Sequence, residues 1–182
     1  MPDASPSAPP TGEVAALVAV QSALAGRPGV LATARGLSHF GEHSIGWLAV
    51  AAVGALLMPK RRGDWLVAGA GAFAAHAAAV LVKRVVRRKR PHDPAVVVNV
   101  GTPSQLSFPS AHATSTTAAA ILMGRITGLP LPALLIPPMA LSRMLLGVHY
   151  PSDVACGIAL GAVVARTTIW LQGRAREVWA NE

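Results

Sequence analysis

Hydrophobic positions run along this chain in long blocks separated by short polar breaks, a pattern that predicts helices crossing a membrane. Five blocks, residues 44–58, 65–82, 110–126, 131–146 and 153–171, approach the roughly 17 to 25 residues that a bilayer crossing needs. The first is short and the fourth contains Pro132, Pro137 and Pro138, so tilting or kinking is expected in both. Ahead of them, Gln21, Arg27, Pro28 and Arg35 interrupt the apolar residues of 14–36, which predicts a helix lying in the interface rather than a crossing. Residues 1–12 are rich in Pro, Ser and Ala and read as a disordered tail without the basic-then-apolar order of a secretion signal. The predicted fold class is therefore an all-α integral membrane bundle, one domain over 13–182, with about five transmembrane helices and an N-terminal interfacial helix.

Composition agrees: 52% hydrophobic and 13% charged residues, with a mean hydropathy of +0.47, leave too little polar surface to coat a soluble globule. The net charge of +8 would suit nucleic acid, but there is one Tyr and three Phe, and the strongest basic run caps an apolar block. Anionic lipid headgroups are the expected partner and nucleic acid is not. The single cysteine, Cys156, excludes an internal disulfide framework and reads as a small packing residue.

Five crossings put the loops after the second and fourth blocks on one membrane face, and the polar residues that stand out gather in those loops. Lys83 and Arg90 are seven positions apart, almost two helical turns, so a continuing helix would carry both on one face with Arg87 close by. Arg84, Arg88 and Lys89 would then point toward headgroups, and Pro91 would end the run. Alone, this is a positive flank of a transmembrane helix. Pro109-Ser110-Ala111-His112 opens the third block, where unpaired N–H groups and the dipole favour an anion, Ser110 can cap or donate, and His112 brings a titratable ring. Alone, it is a serine cap with an incidental histidine. Ser142-Arg143 supplies a guanidinium fork; His149 follows six residues later and Asp153 four beyond that. A carboxylate on one ring nitrogen leaves the other with the lone pair a nucleophile needs, although the same spacing also suits an interfacial histidine before a capping aspartate.

Taken together, the three segments resemble the signature of the type 2 phosphatidic acid phosphatase superfamily, K-x6-RP, PSGH and SR-x5-H-x3-D, over residues 83–153. The resemblance implies that His149 attacks phosphorus, that Asp153 orients it, and that His112 protonates the leaving oxygen and then activates water against a phosphohistidine. It also implies that Lys83, Arg90, Ser110, Arg143 and the N–H of Ala111 hold the phosphate oxygens. These cations supply the field without a metal or other cofactor. A neutral His149 and a charged His112 predict a bell-shaped pH profile. Ala111 departs from the family glycine, which puts the shape of the pocket in question. The short layout and residues 36–44 are similar to small actinobacterial members that remove the 5-phosphate from a decaprenyl-linked ribose during arabinan precursor synthesis. Phosphatidylglycerophosphate, phosphatidic acid and polyprenyl diphosphate are the alternative membrane lipid phosphates.

Two competing readings are weaker. His39, Glu42 and His43 match the H-x-x-E-H zinc-protease pattern, but Gly41 weakens the helix that pattern requires and no third ligand stands out downstream. A non-catalytic lipid-binding protein fits the Gly- and Ala-rich stretch 68–79 and the G-x-x-x-G of Gly157 and Gly161, but has no use for His112 and His149 together. The small residues predict packing within one bundle, with no oligomer inferred, and His76 is expected to be hydrogen-bonded inside it. Lys60, Arg61, Arg62, Arg125, Arg174 and Arg176 fall on the face opposite the motifs, which tips the site toward the outside once the motif cations are discounted.

Overall fold

Small and hydroxylated side chains fill positions 111–120, and the helix they form is the one the others surround. The chain was analysed as a computed structural model that describes residues 10–180; most of the expected tail, 1–9, lies outside the described residues. The described residues form seven α-helices: α1 (Gly12–Leu24), α2 (Val30–Gly41), α3 (Ile45–Leu57), α4 (Arg62–Val86), α5 (Ala111–Thr127), α6 (Leu131–Leu145) and α7 (Pro151–Ala180). Single 3-10 turns at Glu42–Ser44 and Pro59–Arg61 join α2 to α3 and α3 to α4.

Three helical runs are long and apolar enough to cross a membrane, Val30–Leu57, Pro59–Val86 and Pro151–Val178. The first differs from the expected layout. Block 44–58 is only the second half of a kinked 28-residue run whose first half, α2, begins inside the segment 14–36 read as interfacial and extends beyond it to Gly41. Helix α2 packs against α6 rather than standing apart. The kink arises at Glu42–Ser44, where His43 and Ser44 both adopt left-handed backbone angles. That break also removes the continuous helix on which His39 and His43 would have shared a zinc ion.

Helix α5 is sandwiched among α4, α6 and α7. Ser110 caps its start, and Gly128 (φ 76°) closes its end with an N–H to the Gly124 carbonyl at 2.8 Å. The glycine pair on α7 lets the two backbones meet, as expected: a Cβ on Gly157 would lie 2.7 Å from the Ser110 oxygen, and one on Gly161 2.3 Å from the Thr114 oxygen. Both obstacles are backbone and cannot swing away. Gly161→Ala should lower stability by about 1–3 kcal/mol through overpacking, read as a lower Tm in detergent. Cys156, expected to pack, is instead exposed on α7.

The segment between α4 and α5 is irregular but well braced. Lys89 and Leu106 form an antiparallel bridge, and buried Gln21 of α1 donates to the carbonyls of Val97 (2.6 Å) and Leu145 (3.1 Å) while accepting from the Val97 N–H (3.0 Å). Gly147 passes 2.3 Å, measured from a Cβ built on it, from the Val97 oxygen at φ 70°, a place only glycine fits. These braces carry the α4–α5 loop over the end of α6, where the three motif segments converge.

Candidate active site

Helix α4 stops sooner than the sequence suggests. Arg87 turns into the left-handed region (φ 55°), its N–H bonded to the Lys83 carbonyl at 3.0 Å, and the chain leaves the helix as an irregular segment pinned by the Lys89–Leu106 bridge. Lys83 and Arg90 therefore do not share a helix face; the bridged segment brings them to one cavity instead. The buried Lys83 ammonium donates to the carbonyls of Leu106 and Ser107, both at 3.1 Å. Arg90 donates through Nε to the Ser104 carbonyl and through Nη1 to the Val148 carbonyl, both at 2.7 Å. Burial brings its guanidinium down to about 10, which leaves it charged at neutral pH. Arg143, from the last turn of α6, is 1% exposed and donates to the Ser38 hydroxyl at 3.1 Å, while its Nε is buried without a partner.

Among the described residues, none of Lys83, Arg90 and Arg143 pairs with a carboxylate, yet all three line one cavity of about 400 Å3 with Ala111, His112 and His149. Gathering cations away from water without counter-charge is costly. A cavity so built is made for a polyanion small enough to touch all three.

His149 is buried between two partners of opposite kind. Arg90 Nη1 lies 3.3 Å from its Nε2, and Asp153 Oδ2 lies 3.6 Å from its Nδ1. Arginine has no acceptor, so this contact requires the lone pair on Nε2 and puts the ring proton on Nδ1, facing Asp153. Burial first, then the charges of Arg90, Arg143 and Lys83, hold the imidazole well below its usual pKa, and the ring is neutral.

Asp153 is fully buried at the third position of α7. Its Oδ2 accepts from the Tyr150 N–H at 2.8 Å, an N-terminal capping bond, and its Oδ1 accepts from Arg88 Nη1 at 3.0 Å. Arg88 was expected to reach toward headgroups, but it bonds Asp153, the Ser152 hydroxyl (2.7 Å) and Glu13 (2.6 Å), and stacks over the Tyr150 ring at 4.1 Å. Burial works against its charge, but Glu13 and Asp153 outweigh it and raise its pKa. Glu13, in the first turn of α1, also accepts from the Ser152 N–H at 2.8 Å.

The PSAH segment divides its work. Ser110 is fully buried outside the cavity lining, and its Oγ accepts from the Ala113 N–H at 3.4 Å, so it serves as the cap of α5. Ala111 begins the helix without positive φ, so no special backbone there demands glycine. His112 bonds the Ser38 carbonyl through Nε2 at 2.9 Å, and its Cδ2 lies 2.8 Å from where a Cβ on Gly41 would sit. Its Nε2–Cδ2 edge thus faces α2, and Nδ1 lies on the opposite edge.

All eight expected residues converge on one end of the bundle in the order and spacing of a known family, and the model of the PAP2 superfamily matches residues 64–177. The chain belongs to the PAP2 superfamily. Two proteins called decaprenylphosphoryl-5-phosphoribose phosphatase, from Mycobacterium tuberculosis (strain ATCC 25618 / H37Rv) and Mycolicibacterium smegmatis, are 77% identical over 155 residues and 72% identical over 148. The alignments cover 85% and 81% of this chain and 88% and 82% of those proteins. Among solved structures, the crystal structure of a transmembrane PAP2-type phosphatidylglycerolphosphate phosphatase from Bacillus subtilis superposes with a TM-score of 0.68 at 20% identity, covering 87% of this chain and 85% of that one. Aquifex aeolicus LpxE gives 0.66 at 16%, covering 85% and 92%. Like these, the chain is an all-α, multi-pass integral membrane protein, and it is a PAP2 phosphatase.

Three residues that shape this PAP2 site escape local sequence reading: Ser38, Glu13 and Arg88. Ser38 and Glu13 lie outside the residues matched to the family. Each acts across a long stretch of chain, 105 residues from Ser38 to Arg143 and 75 from Glu13 to Arg88. Only the unusual polarity of 36–44 ahead of an apolar block hinted at any of them.

Proposed function

We propose that the chain removes the terminal phosphate of decaprenylphosphoryl-5-phosphoribose through a phosphohistidine on His149. The observation that carries the chemistry is the placement of His149, with Nε2 3.3 Å from Arg90 Nη1 in the cavity that Lys83 and Arg143 also line and Nδ1 facing Asp153 at 3.6 Å, which calls for a lone pair on Nε2. The names of the mycobacterial relatives, at 72–77% identity, support the substrate.

Nε2 attacks phosphorus as the bond to the sugar 5-oxygen breaks. Asp153 stabilises the charge that the ring acquires. Lys83, Arg90, Arg143 and the Ala111 N–H hold the equatorial oxygens, where charge must be stabilised. His112 gives a proton from Nδ1 to the leaving alkoxide, its Nε2–H being tied to the Ser38 carbonyl. Water, losing a proton to His112, then breaks the N–P bond, which frees inorganic phosphate and restores neutral His149. Ser110 contributes through the cap of α5 and the position of the Ala111 N–H.

The site faces the extracytoplasmic side in this reading. The opposite end of the bundle gathers Lys60, Arg61, Arg125 and Arg176 around a second cavity, in keeping with a positive cytoplasmic face.

The test is phosphate release by the purified protein in detergent, with EDTA present, from decaprenylphosphoryl phosphoribose, phosphatidylglycerophosphate, phosphatidic acid and a polyprenyl diphosphate. Preference for the phosphoribosyl lipid supports the proposal; preference for another member overturns it. The pH profile carries its own sign. A depressed His149 pKa means the neutral nucleophile persists as pH falls and is lost only well below the ordinary 6.5 of a histidine. The acid limb of kcat/KM should therefore lie below that value; a limb at or above it would contradict the assignment.

A further inference from the structure

The cavity is larger than a phosphate requires, and its far end is built from residues that the PAP2 motifs do not include. Helix α4 turns His76, Val80 and Lys83 toward it, a helical face at spacings of four and three. His76 thus lies seven residues from Lys83, about 10 Å further into the bundle. Contrary to the expectation from sequence, its Nδ1 is buried with no hydrogen-bond partner. Opposite it stands His43, the two ring centroids 5.8 Å apart.

His43 is held there at a cost. It and Ser44 take left-handed backbone angles (φ 49° and 62°), a region that is unfavourable for residues other than glycine. Ser44 is fully buried in this turn, with its hydroxyl on the Ala72 carbonyl at 3.5 Å. Strain of this kind persists where the surroundings over-determine it, and it gathers at ligand sites. An ionisable side chain inside a membrane bundle likewise calls for a function.

We infer that His43 and His76, with Glu42 at the rim, form a subsite for the hydroxyl groups of a sugar whose terminal phosphate lies against His149. Imidazoles donate and accept, and a carboxylate accepts, which matches neighbouring hydroxyls. A second phosphate in the sugar's place, joined directly to the first as in a diphosphate, fits poorly, because Glu42 would repel it and the unpaired cations Lys83, Arg90 and Arg143 surround the phosphate end. The inference rests on the proposed phosphoribosyl substrate and adds the residues that would recognise its ribose.

Two variants test it in the full-length protein. His43→Gly removes the ring at a position whose backbone favours glycine, and His76→Ala extends the neighbouring alanines. For each, kcat/KM on decaprenylphosphoryl phosphoribose is measured together with the inhibition constants of inorganic phosphate and of ribose 5-phosphate, which carries the sugar but no second phosphate. The expected result is a fall in kcat/KM of about tenfold or more, weaker inhibition by ribose 5-phosphate, and inhibition by inorganic phosphate unchanged within about twofold, which shows an intact phosphate pocket. Unchanged kcat/KM, unchanged ribose 5-phosphate inhibition, or a parallel weakening of inorganic phosphate would overturn the subsite and leave the proposed function standing. Wild-type protein that ignores the phosphoribosyl lipid while cleaving another phospholipid would overturn the function, and the subsite with it.

Discussion

His149→Ala should lower phosphate release by at least about 10⁴-fold, because it removes the ring whose Nε2 lies against Arg90, and His112, the neighbouring imidazole in the cavity, is placed as acid and base instead. The loss should fall on kcat, since Lys83, Arg90 and Arg143 remain to bind the phosphate. Stability should change little, because on loss of the ring Arg90 Nη1 keeps its bond to the Val148 carbonyl and Asp153 keeps its bonds to Arg88 and the Tyr150 N–H. Rapid acid-free quenching with substrate labelled in the terminal phosphate provides an independent reading. Wild-type protein should carry label that is stable to base and lost in acid, as expected of phosphohistidine, and His149→Ala should carry none. Label remaining on the variant would reassign the nucleophile.

Asp153→Asn should be nearly as damaging, on the order of 10³-fold in kcat, although the side chain never lines the cavity. An amide in that position cannot accept from Arg88, from the Tyr150 N–H and from the His149 Nδ1–H at once, as the carboxylate's two oxygens are placed to do. Turning its NH₂ toward the ring would favour the other tautomer and consume the lone pair on Nε2. Arg88→Ala gives a graded comparison, since it leaves the carboxylate but removes the cation that fixes Oδ1. A loss of about ten- to a hundredfold in kcat with KM little changed is expected for a residue that positions rather than binds. Equal KM increases in both variants would mean that the α7 cap shapes substrate binding instead of the nucleophile.

The motif residues were legible in the sequence because their identities and spacings survive without knowledge of the fold. The path that unites them was not. Helical periodicity over 83–90 predicts one face for Lys83 and Arg90, and nothing local signals that Arg87 turns left-handed and sends Arg90 away on an irregular segment. The same early ending swings Arg88 from the lipid side onto Asp153. The close approach of α7 at its glycine pair could be read directly, since small residues at that spacing have few packing solutions. Helix α2 could not: Gln21, Arg27, Pro28 and Arg35 break the hydrophobic pattern of 14–36, and its tie to the site, the two bonds of Ser38, joins residues 74 and 105 positions apart. The partnerless His76 nitrogen also contradicts a general rule for buried polar groups, and such exceptions are seen only once neighbours are placed.

Glu13 reaches from the first turn of α1 to both Arg88 and the Ser152 N–H, and Ser38 meets His112 and Arg143 from α2. A shortened chain beginning at Asp64 would keep every signature residue and still lack the two outer fasteners of its nucleophile and its acid. Transplanting the signature alone into another helical scaffold would fail for the same reason. The smallest heritable unit of this active site is wider than its motifs, and recombination between relatives should preserve it only when no breakpoint falls between residues 13 and 153.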